Sequence, residues 1–115
     1  MIGLGGGLGA ISRYLISSFL SNIALIGFPI GTLFVNIIGC LVMGIFVANQ
    51  NEAASSLAKY FFVIGFLGSF TTFSAFTKEA LVFLNQENFL ISFLYILSTV
   101  MLCLISTYIG FKFLK

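Results

Sequence analysis

The stretch GSFTTFSAF, residues 68–76, decides how this chain can fold, because it puts small and polar residues inside a long apolar segment. That segment runs from about Leu57 to Leu84. A straight helix of about 28 residues would measure about 42 Å, which exceeds a hydrocarbon core of about 30 Å. Gly65 and Gly68 weaken a helix, and Ser and Thr side chains compete for its backbone groups. The sequence therefore predicts a membrane helix that is broken near its middle.

The break itself has two interpretations. Non-helical backbone at membrane depth persists only where it is buried in protein or faces water. Broken helices in transport proteins present carbonyl groups and half-helix ends to ions. The interruption thus frees carbonyl oxygens for a cation or amides for an anion, or else it is a kink whose backbone groups are satisfied by side chains.

Composition indicates an all-α integral membrane protein. The chain has 115 residues, of which 60% are hydrophobic and only 7% are charged, whereas a soluble domain is about a quarter charged. The net charge of +2 is small and scattered, so nothing indicates a nucleic-acid partner. The chain has no His, which removes the commonest metal ligand and general base and argues against an enzyme without excluding one. Cys40 and Cys103 both lie in apolar runs and form neither a disulfide framework nor a recognisable metal motif.

Four segments are long enough to cross a membrane as helices, which need about 20 mostly apolar residues. We predict a single transmembrane domain over residues 1–115. Its spans are about 2–20, 29–48, 57–84 and 89–113, with a turn at 21–28 and loops at 49–56 and 85–88. No basic residue precedes the first apolar run, so this run is a permanent span rather than a signal peptide.

The positive residues favour an orientation with both termini in the cytoplasm. Lys59, Lys112 and Lys115 then lie inside, as the positive-inside rule requires. Lys78 lies near the opposite side and weakens the bias, so the sequence does not decide between a fixed and a dual orientation.

Asn36 is the most polar member of a small and polar stripe on the second span. The stripe has helical spacing and comprises Thr32, Asn36, Gly39 or Cys40, and Gly44. An unpaired buried amide costs roughly 2–7 kcal/mol. Asn36 therefore either forms a hydrogen bond between two spans or lines an anion pathway with its NH₂ donor.

A similar stripe follows the fourth span. Tyr95, Thr99, Cys103 and Ser106 recur at helical spacing. Hydroxyl groups in membrane helices often bond back to their own backbone, and packing then explains the stripe. Alternatively, the O–H groups face a pathway and replace water around an anion.

Two aromatic and two charged residues complete the candidate set. Phe73 and Phe76 share a helix face directly after the break, and inward ring edges would form a weakly polar site for a small anion. Arg13 lies inside the first span, where a charge is costly. There are three interpretations of Arg13: its side chain snorkels to the interface, it pairs with a carboxylate, or it adds positive potential near an anion path. Glu79 either pairs with Arg13 or Lys78 or lies at the interface.

Three segments together carry a resemblance to a known family. GGGLGAISRY (5–14), GTLFVNIIG (31–39) and GFLGSFTTFSAFTKEAL (65–81) resemble the Fluc (CrcB) family of small microbial fluoride channels, in order and spacing over the whole chain. The resemblance implies that the chain is not an enzyme. It implies an antiparallel, dual-topology dimer of four-helix subunits in the cell membrane, with two fluoride pathways per dimer.

The resemblance also implies roles for individual residues. The pathway would contain Asn36, Phe73, Phe76, Tyr95, Thr99 and Cys103, although a hydroxyl would be expected where Cys103 stands. A structural sodium ion at the dimer interface would be held by the backbone carbonyls of Gly68 and Thr71. Arg13 and Glu79 also fall on motif positions.

The function that follows from the resemblance is passive export of fluoride from the cytoplasm, which relieves its toxicity. The partner subunit would be a second copy or a paralogue, and the sequence does not decide which. The alternative is a small multidrug-type four-span transporter, which needs a membrane carboxylate for proton exchange. Glu79 is the sole candidate for that carboxylate. A purely structural role would leave Asn36 and the break unexplained.

Overall fold

The structure, a computed structural model, describes residues 1–23, 29–49 and 56–113, and within them it is all-helical with no strand. The elements in chain order are α1 (Ile2–Ile23), α2 (Ile30–Ala48), α3 (Ser56–Ala58), the π-helix π1 (Lys59–Leu67), α4 (Gly68–Phe70), α5 (Phe73–Asn85) and α6 (Phe89–Phe113).

Three parts of the described chain are long and apolar enough to cross a membrane: α2, the segment Lys59–Asn85, and α6. The described chain is therefore a multi-pass, all-α membrane protein, as predicted. Helix α1 has 22 residues, which is long enough to span, but Arg13 and its glycines make it less apolar than the other three. A fourth span formed by α1 stays a prediction.

Most predicted boundaries agree with the structure. Helix α6 has the predicted bounds, and α2 begins one residue after Pro29. The predicted turn over 21–28 was wrong in its first three residues, because α1 continues to Ile23; its remainder lies outside the described residues. Of the predicted loop 49–56, residues 50–55 also lie outside them. Of the predicted loop 85–88, Asn85 still belongs to α5, and residues 86–88 form a tight turn in which Glu87 has a φ of 59°.

The predicted break in the third span is confirmed and lies at Thr71 and Thr72. Both have extended backbone, with φ/ψ of −114°/105° at Thr71 and −114°/114° at Thr72. Helix α5 then begins at Phe73, where the Thr72 hydroxyl accepts a hydrogen bond from the Ala75 amide at 3.2 Å as an N-cap.

Most of the half before the break is the nine-residue π-helix π1, which the sequence analysis did not predict. π-Helices usually occur as single turns within α-helices, often at functional sites.

Glycines allow the helices to approach each other at backbone distance. A Cβ added to Gly5 or Gly9 would lie 2.2 or 2.3 Å from a π1 carbonyl oxygen, that of Phe61 or Phe66. On the other side of the bundle, a Cβ at Gly44 would lie 2.1 Å from a carbonyl oxygen of α6. Helix α1 therefore packs directly on π1, and α2 packs directly on α6.

Candidate functional site at the helix break

Asn36 on α2 holds the broken backbone through both ends of its amide. Its Oδ1 accepts a hydrogen bond from the Thr72 N–H at 2.7 Å, and its Nδ2 donates to the Thr72 carbonyl at 3.2 Å. The side chain is buried, so this pairing satisfies polar groups that would otherwise be costly. The predicted bond between spans is confirmed. One N–H of the amide remains beyond this pair.

The same pairing alters the carbonyl groups before the break. In a continuous helix the Gly68 carbonyl would accept from the Thr72 N–H, but that N–H is bonded to Asn36. The next carbonyl, that of Ser69, accepts a hydrogen bond from Arg13 Nε at 3.1 Å. Arg13 therefore binds a carbonyl freed by the break, rather than the carboxylate that the sequence analysis offered as a partner.

Glu79 lies on α5, after the break, and links this helix to α2 and α6. Its Oε1 accepts a hydrogen bond from Thr32 Oγ1 on α2, and its Oε2 accepts one from the Tyr95 hydroxyl on α6, both at 2.6 Å. Within the described contacts Glu79 pairs with neither Arg13 nor Lys78, the partners considered from the sequence. Tyr95 is fully buried, and this short, charge-assisted pair fixes its phenol.

A cavity of about 250 Å³ opens beside the break, between α2, α5 and α6. Every predicted pathway residue except Tyr95 lines this cavity. The lining residues are Asn36, Cys40, Thr71, Thr72, Phe73, Phe76, Thr99, Val100 and Cys103. Tyr95 lies behind the cavity wall, where its ring stacks on that of Phe76 with centroids 5.3 Å apart.

The cavity wall is neutral and mostly apolar, with a small number of hydrogen-bond donors. Among the residues that the structure describes, no charged one lines it. The buried hydroxyl of Thr99 forms no hydrogen bond with the part of the chain that the structure describes. The first turn of α5 adds the positive end of a helix dipole, because Thr72 and Phe73 both border the cavity. Such a lining can hydrogen-bond a small anion without binding it as a strong ion pair.

The two phenylalanines after the break differ in environment. Their ring centroids are 5.4 Å apart and the rings are tilted by 51°. Phe76 is 5% exposed and is held between Phe73 and Tyr95, whereas Phe73 is 75% exposed. Phe76 therefore belongs to the fixed wall, and Phe73 stands at the open side of the cavity.

Sequence reasoning missed three lining residues. Cys40 lies one turn after Asn36 on the polar stripe, so helical spacing could have placed it here. Thr72 lies within the stretch at residues 68–76, but only the structure shows that its backbone is the group bound by Asn36. Val100 carries no signal in the sequence, because one apolar residue on an apolar helix is not distinctive.

Comparisons with known proteins agree with the geometry. Residues 1–111 match a family model described as CrcB-like protein, Camphor Resistance (CrcB). The chain is 45% identical over 115 residues to a Campylobacter lari protein named fluoride-specific ion channel FluC, covering 99% of this chain and 94% of the relative. Proteins of the same name from Flavobacterium psychrophilum and Campylobacter jejuni are each 40% identical, over 95% and 100% of this chain and 90% and 95% of their own lengths.

Proposed function

This chain belongs to the CrcB family of ion channels and is not an enzyme, and from that premise we propose that it is a fluoride-selective passive channel in the cell membrane. Relatives that share at least 40% of their residues with it over nearly their whole length carry the name of such a channel. The channel would export fluoride from the cytoplasm and so relieve its toxicity.

The observation that carries this proposal is the neutral cavity at the break. It brings Asn36, Phe76 and Thr99 together from three different helices. Fluoride is small and strongly hydrated, so a selective path has to replace its water with donors. The spare N–H of Asn36, the Thr99 hydroxyl and the positive edges of the Phe rings supply donors of this kind. A larger anion such as chloride would find the same narrow lining too tight.

A channel needs no energy source for this export. Hydrogen fluoride crosses membranes as a neutral acid and dissociates at cytoplasmic pH, which leaves fluoride inside. A negative-inside potential then drives the anion outward at about 2.3 kcal/mol per charge per 100 mV.

The finer architecture is part of the proposal. The active unit would be an antiparallel dimer with two pathways, because the cavity is open at Phe73 in the single chain. A sodium ion at the interface would bind the carbonyl oxygens of Gly68 and Thr71. The fit is favourable on this chain. Gly68 is exposed, and a Cβ there would meet only one atom within 4 Å. The Thr72 N–H, which would bond to the Gly68 carbonyl in a continuous helix, donates to Asn36 instead. Hard cations prefer several oxygen ligands, so a second copy would supply the remainder.

A small multidrug-type transporter fits the site less well. Such a transporter needs a membrane carboxylate that exchanges protons with water. Glu79 accepts hydrogen bonds on both of its oxygens and faces Thr32 and Tyr95 rather than the cavity. Its geometry is that of a structural anchor.

Anion efflux from liposomes that contain the purified protein alone tests the proposal. Valinomycin starts the flow, and fluoride and chloride electrodes record it. We expect rapid loss of fluoride and no loss of chloride. Loss of both ions would contradict selectivity. If fluoride is retained, a paralogous subunit is added; continued retention would contradict the channel assignment.

Two substitutions test the pathway within the channel. Phe76→Ile removes an aromatic edge, and Asn36→Ser removes the amide that reaches both the break and the cavity. We expect fluoride efflux to fall strongly in each while the dimer still forms in detergent. Undiminished efflux in both variants would show that ions do not pass this cavity.

A further inference from the structure

The two cysteines of the chain meet in the cavity. Cys40 lies on α2 and Cys103 on α6, and both are free and half-buried. Both line the same cavity of about 250 Å³, where the two thiols are close enough to interact. The sequence alone does not predict this pair, because the two cysteines are far apart in the chain and each lies alone within an apolar run.

Backbone packing keeps the two thiols together. Directly after Cys40, the carbonyl oxygen of Leu41 would lie 2.1 Å from a Cβ added to Gly110 on α6. One turn after Cys40, Gly44 makes an equally close approach to the Thr107 carbonyl. The helices that carry the thiols thus touch at backbone level, and this contact holds the backbones of Cys40 and Cys103 close together.

The chemistry of two adjacent thiols selects a narrow class of ligand. Thiolates are soft ligands that prefer soft metal ions, whereas Mg²⁺ and Ca²⁺ require oxygen ligands. Two thiolates suit an ion that accepts linear two-fold coordination. A divalent ion of this class forms a complex with no net charge, which avoids the large cost of placing a charge in a low-dielectric site.

We propose that Cys40 and Cys103 form a two-thiolate binding site for a thiophilic metal ion such as Hg²⁺. Binding breaks both S–H bonds, forms two metal–sulfur bonds and releases two protons to water. No electron is transferred, so the reaction needs no oxidant or reductant.

A bound ion would also obstruct the cavity. The site shares its walls with Asn36, Phe76 and Thr99, and the metal would occupy space that a passing anion needs. This consequence rests on the proposed channel function, whereas binding itself does not. We therefore expect the protein to bind one thiophilic ion per chain and to lose anion flux when it does.

Titration with Hg²⁺ tests the binding without any measurement of flux. The purified protein is titrated in the presence of excess monothiol, and binding is followed by thiolate-to-metal charge-transfer absorption. We expect one Hg²⁺ per chain in the wild type. Cys40→Ser and Cys103→Ser should each bind roughly 10²–10⁴-fold more weakly, because a single thiol loses the advantage of a second ligand held in place. The cysteine-free double variant controls for the methionines and should give no charge-transfer absorption.

Two results would overturn the site. One is binding of two Hg²⁺ per wild-type chain, one at each cysteine. The other is equal affinity in the wild type and the single variants, which would mean that the thiols act separately.

Fluoride efflux in the presence of Hg²⁺ then tests the location of the site. Each protein is compared with its own efflux before the metal is added, and a dithiol chelator reverses the treatment. We expect block in the wild type and none in the double variant. Binding without block would contradict the obstruction. Absence of efflux before Hg²⁺ is added would count against the channel function, while the titration would still decide the metal site.

Discussion

The two halves of the broken third span are held by different forces. Before the break, π1 and α4 lie against α1, where glycines bring the backbones together. After the break, α5 is held by polar side chains: Glu79 reaches α2 and α6, and Ser92 Oγ donates to the Ala80 carbonyl at 3.2 Å. The first half is fixed by shape, and the second is fixed by hydrogen bonds.

The difference shows how a membrane protein can combine assembly with a site. Steric packing by glycine needs no polar side chains and therefore leaves none to be satisfied in a lipid environment. A cavity with exposed donors needs polar residues, and these must be satisfied wherever they do not face the cavity. The polar anchors are accordingly concentrated on the half that borders the cavity. Substitutions in the first half should damage folding, and substitutions in the second should separate stability from ion flow.

The largest effect is expected at Gly9. A methyl group there would lie 2.3 Å from the Phe66 carbonyl oxygen, and that backbone atom cannot rotate away. We expect Gly9→Ala to destabilise the fold by about 3 kcal/mol, the upper end of the usual cost of overpacking, measured as a lower midpoint of thermal unfolding in detergent. Gly7→Ala is the matched control, because a Cβ at Gly7 meets nothing within 4 Å. Equal effects at the two positions would disprove steric packing as the force that holds the first half.

A smaller loss of stability is expected at Glu79. Glu79→Gln keeps the shape of the side chain but leaves only one acceptor for the hydroxyls of Thr32 and Tyr95. Loss of a hydrogen bond to a charged group costs about 1.5–3 kcal/mol, but a hydroxyl that turns to accept from the new amide regains part of this, so the net loss should be about 1–2 kcal/mol. Unfolding of α5 and α6, followed by hydrogen exchange, measures the change.

Glu87→Gln is the control for the charge itself, because Glu87 lies in the exposed turn between these helices. If both variants exchange alike, the bonds of Glu79 do not anchor the second half.

Sequence and structure agree where composition alone decides the outcome. The start of helix α6 could be predicted to the residue, because a continuous apolar run follows the polar residues 85–88. The break could be predicted because Gly68 and its Ser and Thr neighbours weaken one helix locally. Its position at Thr71 and Thr72 could not, because Asn36 from another helix binds the Thr72 backbone.

Contacts between distant segments account for the remaining differences. The π-helix lies against glycines of α1, and no local propensity indicates it. Arg13 was considered as a partner for a carboxylate, but the break creates a free carbonyl that accepts a hydrogen bond from Arg13 Nε. The thiol pair of Cys40 and Cys103 exists only because α2 and α6 pack closely. In each case the missing information is which helices touch.

The smallest effect on stability, paired with a clear effect on flow, is expected at Thr99. Its buried hydroxyl has no hydrogen-bond partner among the described residues and borders the cavity. Thr99→Val removes the hydroxyl and keeps the shape, so no protein hydrogen bond is lost and stability should change by about 1 kcal/mol or less. Fluoride efflux should fall, because the cavity loses a donor, whereas Thr99→Ser should retain much of it. Unchanged efflux in Thr99→Val would mean that this hydroxyl faces the cavity but does not contact the passing ion. Asn36 and the ring edges of Phe76 would then be the groups left to replace the water around fluoride.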